Sequence, residues 1–308
     1  MWQTIRELFG FEDRYGKESR DLPDEFDWVK SFPFLLVHLI CLLVFIVGFS
    51  WVAFITAAVL FFIREFSLTA FYHRYFSHQT FKTNRCWQFI FAAIGCAALQ
   101  RGPIWWAAHH RHHHLVSDTP EDVHSPKQHG FLWSHVGWIF SRKNSSYDSA
   151  LVKDLEQYPE LVFLDRYDSL PPFILASFLF IFGWLLQLYA PQLNTSPAQM
   201  LIWGCISTVI LYHCTFFINS LCHVWGSRRF ATNDTTKNNL FLALLTLGEG
   251  WHNNHHHYPA ATRQGFMWWE IDITYYVIKL LSLLGIVWDI RPVPAYVLTK
   301  RLIKKEDI

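Results

Sequence analysis

Histidine is the side chain through which this sequence can do chemistry. The chain carries seventeen of them, and most collect in four places. One is His73-Arg-Tyr-Phe-Ser-His78 and another is His110-Arg-His112-His113-His114. Much later comes His252-Asn-Asn-His255-His256-His257, and before it Asn219 and His223 stand four apart. Residues at i, i+3 and i+4 of a helix project from one face. His110, His113 and His114 can therefore converge on a metal, and His252, His255 and His256 repeat the same HxxHH spacing. Asn219 and His223 share a face for the same reason. His73 and His78 lie about 140° apart on an ideal α-helix, so they serve different metals unless the helix end unwinds to bring both to one. Nine histidines with a candidate water-holding Asn exceed the needs of a tetrahedral zinc and suit two metals of higher coordination number. Imidazole suits Zn, Cu, Fe and Ni alike, so residue type leaves the metal open. His112 and His257 fall outside the two HxxHH patterns. His38, His124, His129, His135 and His213 are isolated and read as packed, hydrogen-bonded or supporting residues.

What must position these clusters is set by composition. Hydrophobic residues make up 52% of the 308 and aromatics 18%, with 28 Phe and 15 Trp, more large apolar surface than a soluble domain can use. A net charge of +1 and the lack of any basic groove with stacking aromatics exclude a nucleic-acid partner. Crossing a bilayer takes about 20 mainly apolar residues. Four stretches meet this: 32 to 49, 51 to 68, 170 to 190 and 198 to 218. They form two hairpins whose connections, 48 to 51 and 191 to 197, hold no charged residue. By the positive-inside rule, segment 1 to 30, region 69 to 169 and region 219 to 308 are cytoplasmic, and both termini with them. Cys86 to Leu99 and Ile271 to Trp288 are expected to lie along the interface or dock on the cytoplasmic region. The six cysteines form no CxxC pair and read as small hydrophobes. The expected fold is all-α integral membrane, one domain over 1 to 308, with four transmembrane helices and a helical cytoplasmic region carrying a histidine-rich di-metal site.

The histidine motifs, with Ser134-His135-Val136-Gly137-Trp138 and Gly248-Glu249-Gly250-Trp251, resemble those of the membrane fatty acid desaturases, in particular the stearoyl-type acyl-CoA desaturases and their bacterial relatives. The similarity covers about residues 30 to 295. It implies that His73, His78, His110, His113, His114, His223, His252, His255 and His256 hold two Fe ions, and that Asn219 holds a metal-bound water. It further implies O2 as co-substrate and a cis double bond, at Δ9, in a saturated acyl chain carried on CoA. Arg142-Lys143 matches a basic pair that contacts CoA phosphates in the family, whereas Ala108-His109 stands where animal members have Arg-Asp. That departure leaves a phospholipid-borne chain as an alternative carrier.

No haem-binding segment or Cys-rich cluster motif is fused to the chain, so a separate electron-transfer protein of ferredoxin, rubredoxin or cytochrome b5 type is expected. Lys300, Arg301, Lys304 and Lys305 are basic residues that could attract it or bind anionic lipid. The rival readings are a related di-iron hydroxylase or alkane monooxygenase, and, from another class, a metal transporter. A transporter would place its ligands within the spans, where only His38 and His213 lie.

Overall fold

A computed structural model describes residues 25–303. It is mostly helical. Helix α1, Trp28–Cys41, gives way to a turn at Leu42 and Leu43 and a last short stretch, Val44–Val47, ended by Gly48 at φ +73°. Ser50 caps α2, Trp51–Phe66, by accepting from the Ala53 amide. Downstream, α7, Leu170–Tyr189, and α8, Pro197–Ser220, form the second hairpin, and α8 opens on a capping box of Ser196 and Gln199. The two connections meet. Ser50 Oγ and Thr195 Oγ1 share a hydrogen bond of 2.7 Å, and Gln199 Nε2 donates to the Val47 carbonyl at 3.0 Å. Helices α2 and α8 therefore start at the same end and run side by side toward the histidines.

Among the described residues, three helices are long and apolar enough to cross a membrane: Trp51–Ser77, Leu170–Tyr189 and Pro197–His223. The expected first span is shorter, an apolar stretch over Ser31–Val47 broken by the turn at Leu42. The α7 helix buries little of itself, with Gly183 and Gly204 at its contact with α8; a methyl group on Gly183 would stand 2.7 Å from Pro197 Cα. Arg64 is buried in α2, where it donates to the Leu60 and Ala97 carbonyls and to the hydroxyls of Thr208 and Ser207.

Beyond Phe66 the backbone winds on as a π-helix, Ser67–Ser77, so that α2 and this segment form one continuous rod. Ser77 Oγ donates to the Tyr72 carbonyl at 2.8 Å, five residues back, which satisfies an acceptor at the loosened end. Helices α3, Arg85–Cys96, and α4, Pro103–Val116, pack on this segment. Asp165 of α6, Pro159–Arg166, accepts from the Ile104 and Trp105 amides at 3.0 and 2.8 Å and so holds the start of α4. Between α4 and α6 lies α5, Phe131–His135. The last histidine cluster forms α9, His252–His257. Helix α10, Ile273–Leu283, is about 16 Å long and too short to span. A two-residue antiparallel pair, β1 Lys82–Thr83 with β2 Val287–Trp288, ties the chain after the π-helix to the C-terminal region. Residues 1–24 and 304–308, with Lys304 and Lys305, lie outside the described residues, so most of the expected N-terminal segment does too.

Candidate metal centre

The nine histidines selected from spacing come together as two groups. His73, His78, His110, His114 and His255 form one; His113, His223, His252 and His256 form the other, with the nitrogens of each group within 4.8 Å of one another. His73 and His78 fall in the same group, the placement expected if the helix end unwinds. The π-helix is the reason. Its hydrogen bonds close over five residues, as in His78 N–H to the His73 carbonyl at 3.3 Å, which stacks side chains five apart instead of splaying them. Helix α4 faces both groups at once: His110 and His114 look to the first and His113 to the second.

In the five-histidine group the Nε2 atoms form a chain of close neighbours. His73 lies 3.0 Å from His255, which lies 2.9 Å from His114; His114 lies 3.0 Å from His110, which lies 2.8 Å from His78. Nitrogens about 2.1 Å from one ion and at right angles to each other stand roughly 3.0 Å apart, so the donor set fits a shared metal. In the four-histidine group, the Nε2 atoms of His223, His252 and His256 are buried without a hydrogen-bond partner. A buried, unpaired imidazole nitrogen is costly in a protein alone and is what a metal ligand requires.

Carboxylates on the other ring nitrogen set the tautomers. Asp122 Oδ2 accepts from His113 Nδ1 at 3.0 Å, Asp118 Oδ2 from His223 Nδ1 at 3.1 Å and Asp234 Oδ2 from His256 Nδ1 at 2.8 Å. Glu249 accepts from His73 Nδ1. A carboxylate that accepts at Nδ1 leaves Nε2 with its lone pair free. The carboxylates are themselves held. Asp118 takes hydrogen bonds from Ser125 and Thr235, Asp234 from Thr232 and Thr236, and Glu249 from Arg74, whose guanidinium also reaches Asp272. A third grouping, His113 with Asp122 and His124, uses the carboxylate that already supports His113 and reads as part of that support.

Electrostatics agree with this arrangement. Burial, reinforced by neighbouring imidazoles, holds His78, His110, His114, His252 and His255 well below the usual histidine range. Burial pushes His256 down to about 4 although Asp234 pulls it up. Burial raises Glu249, but His73 and Arg74 outweigh it and hold the carboxyl near about 2. Asp118, Asp122 and Asp234 are likewise raised by burial and brought below the carboxylate range by their histidine partners. At neutral pH these six imidazoles are neutral and the four carboxyls are charged.

The histidines open on a cavity of about 220 Å³, lined by His73, His110, His113, His252 and Asn219 and otherwise largely by apolar side chains, among them Leu68 of the π-helix, Trp105 and Trp106 of α4, Trp138, and Phe216 and Ile218 of α8. A sequence profile of the fatty acid desaturase family matches residues 31–280. The chain belongs to the fatty acid desaturase family. It is 36% identical over 269 residues to "Delta-9 acyl-lipid desaturase 1" of Arabidopsis thaliana, covering 86% of this chain and 83% of that protein. To "Acyl-CoA C20 Delta5-desaturase" of Anemone leveillei it is 37% identical over 262 residues, 83% of this chain and 78% of that protein. With "sn-1 stearoyl-lipid 9-desaturase" of Anabaena variabilis it shares 34% over 272 residues, 87% of this chain and 94% of that protein. Family membership makes it an oxidoreductase of lipid metabolism.

The remaining residues singled out in this desaturase are placed as follows. Asn219 lines the cavity beside His252, and its carbonyl accepts from Ser134 Oγ at 3.1 Å. Arg142 and Lys143 are exposed. Ala108 is buried, and His109 is bonded to the Ser146 carbonyl at 3.2 Å, so that pair faces inward. His38, His213 and His135 join in a chain, with nitrogen contacts of 3.1 and 2.9 Å, that ends on Ser220 Oγ. His257 stacks on Phe230 at 4.0 Å and bonds the Val297 carbonyl, and His129 bonds the Asp122 carbonyl. The six cysteines are free. The four supporting carboxylates had no role in the sequence reading. A metal-ligating imidazole usually has an acceptor behind it, and the acids after the second cluster and at Gly248-Glu249 are the signal that points to one.

Proposed function

We propose that this desaturase uses O2 to place a cis double bond, at Δ9, in a saturated fatty acyl chain, with its metals held by the nine histidines in their observed grouping of five and four. The observation that carries the reading is that two imidazole clusters, each backed by buried carboxylates, face one largely apolar cavity. Iron in both groups, as the family implies, supplies the oxidising power needed to take hydrogen from an unactivated methylene. Asn219 is proposed to hold a water at the four-histidine group. The protein's own part is positional. Carboxylates keep the Nε2 atoms of His73, His113, His223 and His256 available, neutral imidazoles need no proton removed before ligation, and the cavity walls keep one carbon pair beside the histidines and bulk water away. Forming one alkene from O2 consumes two electrons and two protons and yields two waters. The electrons come from a separate carrier of ferredoxin, rubredoxin or cytochrome b5 type.

The single domain is read as crossing the membrane four times, Ser31–Val47 included, with the histidines and both termini on the cytoplasmic side. Arg142 and Lys143 are read as contacts for the phosphates of an acyl-CoA. The inward-facing Ala108 and His109, in place of a charged pair, favour a second reading in which the chain is desaturated on a membrane lipid.

Expression in a host without desaturases, followed by mass spectrometry of its fatty acids, tests the reaction. New cis-Δ9 alkenes are expected; hydroxylated products without alkenes would make the protein a hydroxylase. Brief labelling of membranes with saturated acyl-CoA separates the carriers, since label appears first in unsaturated thioester if CoA is the carrier and first in unsaturated phospholipid if it is not.

A further inference from the structure

Glu65 is 1% exposed, sits within the apolar rod Trp51–Ser77 and lines the same cavity as the histidines. It is eight residues before His73, and Thr215 is eight before His223, so both stand about two turns beyond the histidines toward the far end of α2 and α8. Gln100 joins them on the cavity wall. Among the described residues, the hydrogen bond to Glu65 comes from Thr215 Oγ1 at 3.4 Å, and that hydroxyl also faces the Leu211 carbonyl at 3.0 Å with one hydrogen to give. Gln100 Nε2 donates to Thr215 at 3.1 Å. Arg64, next to Glu65 in sequence, directs its donors to α8 and to backbone carbonyls instead. A carboxyl is thus aimed into a largely apolar cavity with too few partners of its own, inside a segment where ionisable residues are costly.

We propose that Glu65, with Thr215 and Gln100, forms a hydrated polar stop that limits how far a saturated acyl chain extends past the histidines. This rests on the reading of the cavity as the acyl site. The three side chains offer a water the two to four polar partners it needs. A chain that ends short of them leaves that water in place. A longer one must displace it. Each buried methylene gains about fourfold in affinity, whereas stripping a buried carboxyl of its hydrogen bonds loses roughly 5- to 150-fold. The balance favours chains that end before Glu65.

The test compares Glu65→Leu and Glu65→Gln in the full-length protein, expressed in a desaturase-free host fed saturated fatty acids of graded length. Glu65→Leu is expected to raise the ratio of longest to shortest alkene product by at least about fivefold. Glu65→Gln, whose amide can still hold water, is expected to keep the wild-type ratio. A ratio unchanged in Glu65→Leu overturns the proposal. Thermal stabilisation of the purified protein by the same free fatty acids gives a readout that needs no turnover: the length of greatest stabilisation should move upward in Glu65→Leu, and no movement overturns the stop. If Glu65→Leu fails to accumulate, Thr215→Val decides, with the same upward shift expected and its absence counting against the proposal. A wild type that makes no alkene yet shows a length optimum in stabilisation would refute the desaturase reading and leave the stop intact.

Discussion

Asp234 illustrates how much of the centre depends on residues that would never touch a metal. Its Oδ2 accepts from His256 Nδ1 while Oδ1 is held by Thr232 and Thr236, so the imidazole has one tautomer and one orientation. Replacing Asp234 with Asn keeps the shape but removes the charge and presents a donor in one of its two flips. Metal affinity at the four-histidine group should fall roughly 10- to 100-fold, measured as iron retained against a graded chelator. His256→Ala removes a ligand candidate outright. It should abolish alkene formation and lower bound iron, and full retention of both would refute the ligand assignment. Glu249 is the matching case in the five-histidine group. It is fixed between His73 and Arg74, so Glu249→Gln would disturb an imidazole and a buried guanidinium together.

At the scale of elements, the π-helix Ser67–Ser77 decides which histidine group His78 joins. α-Helical winding would separate His73 and His78 by about 140°; closing the turn over five residues puts them in one group. Inserting one alanine after Tyr75 should swing His78 by roughly a quarter turn relative to His73 and disrupt the five-histidine group. Iron per protein should drop while helix content by circular dichroism stays near wild type; undiminished iron would show that the register does not matter. Helix α4 is the complementary device. Because HxxHH places His110 and His114 along one edge and His113 beside them, one helix supplies both groups and sets their separation. Its start is held by Asp165 and not by a residue of its own, so α6 is part of the positioning.

For the molecule as a whole, the buried imidazoles make the metal-free fold sensitive to acid. His78, His110, His114, His252, His255 and His256 all have folded values below the unfolded one, so the unfolded chain binds protons first as pH falls. Stability from this source is complete above the unfolded value of about 6.5 and declines below it. The depressed carboxyls Asp118, Asp122, Asp234 and Glu249 add a further loss below about 4. Thermal melts of chelator-treated protein in detergent should therefore show a midpoint that drops steadily from neutral pH downward; a flat profile between pH about 7 and about 5 would contradict the burial of these histidines.

Much of this was legible in the chain itself. Local periodicity places HxxHH side chains on one face whatever surrounds them, and long apolar runs announce helices that cross a membrane, because both properties depend on neighbours in sequence. The first apolar stretch shows what hydropathy leaves out: it marks 32 to 49 as one run, and the turn at Leu42 and Leu43 within Ser31–Val47 is seen only in the structure. Only the tertiary structure joined His73 to His78, divided nine histidines into five and four, and brought Asp118, Asp122, Asp234 and Glu249 behind them. Those outcomes depend on contacts between residues as far apart as His73 and Glu249, and on a helical winding that packing, not local propensity, selects. Composition pointed to lipid as the solvent and spacing to the histidines; the grouping and its carboxylate supports come from how the chain closes on itself.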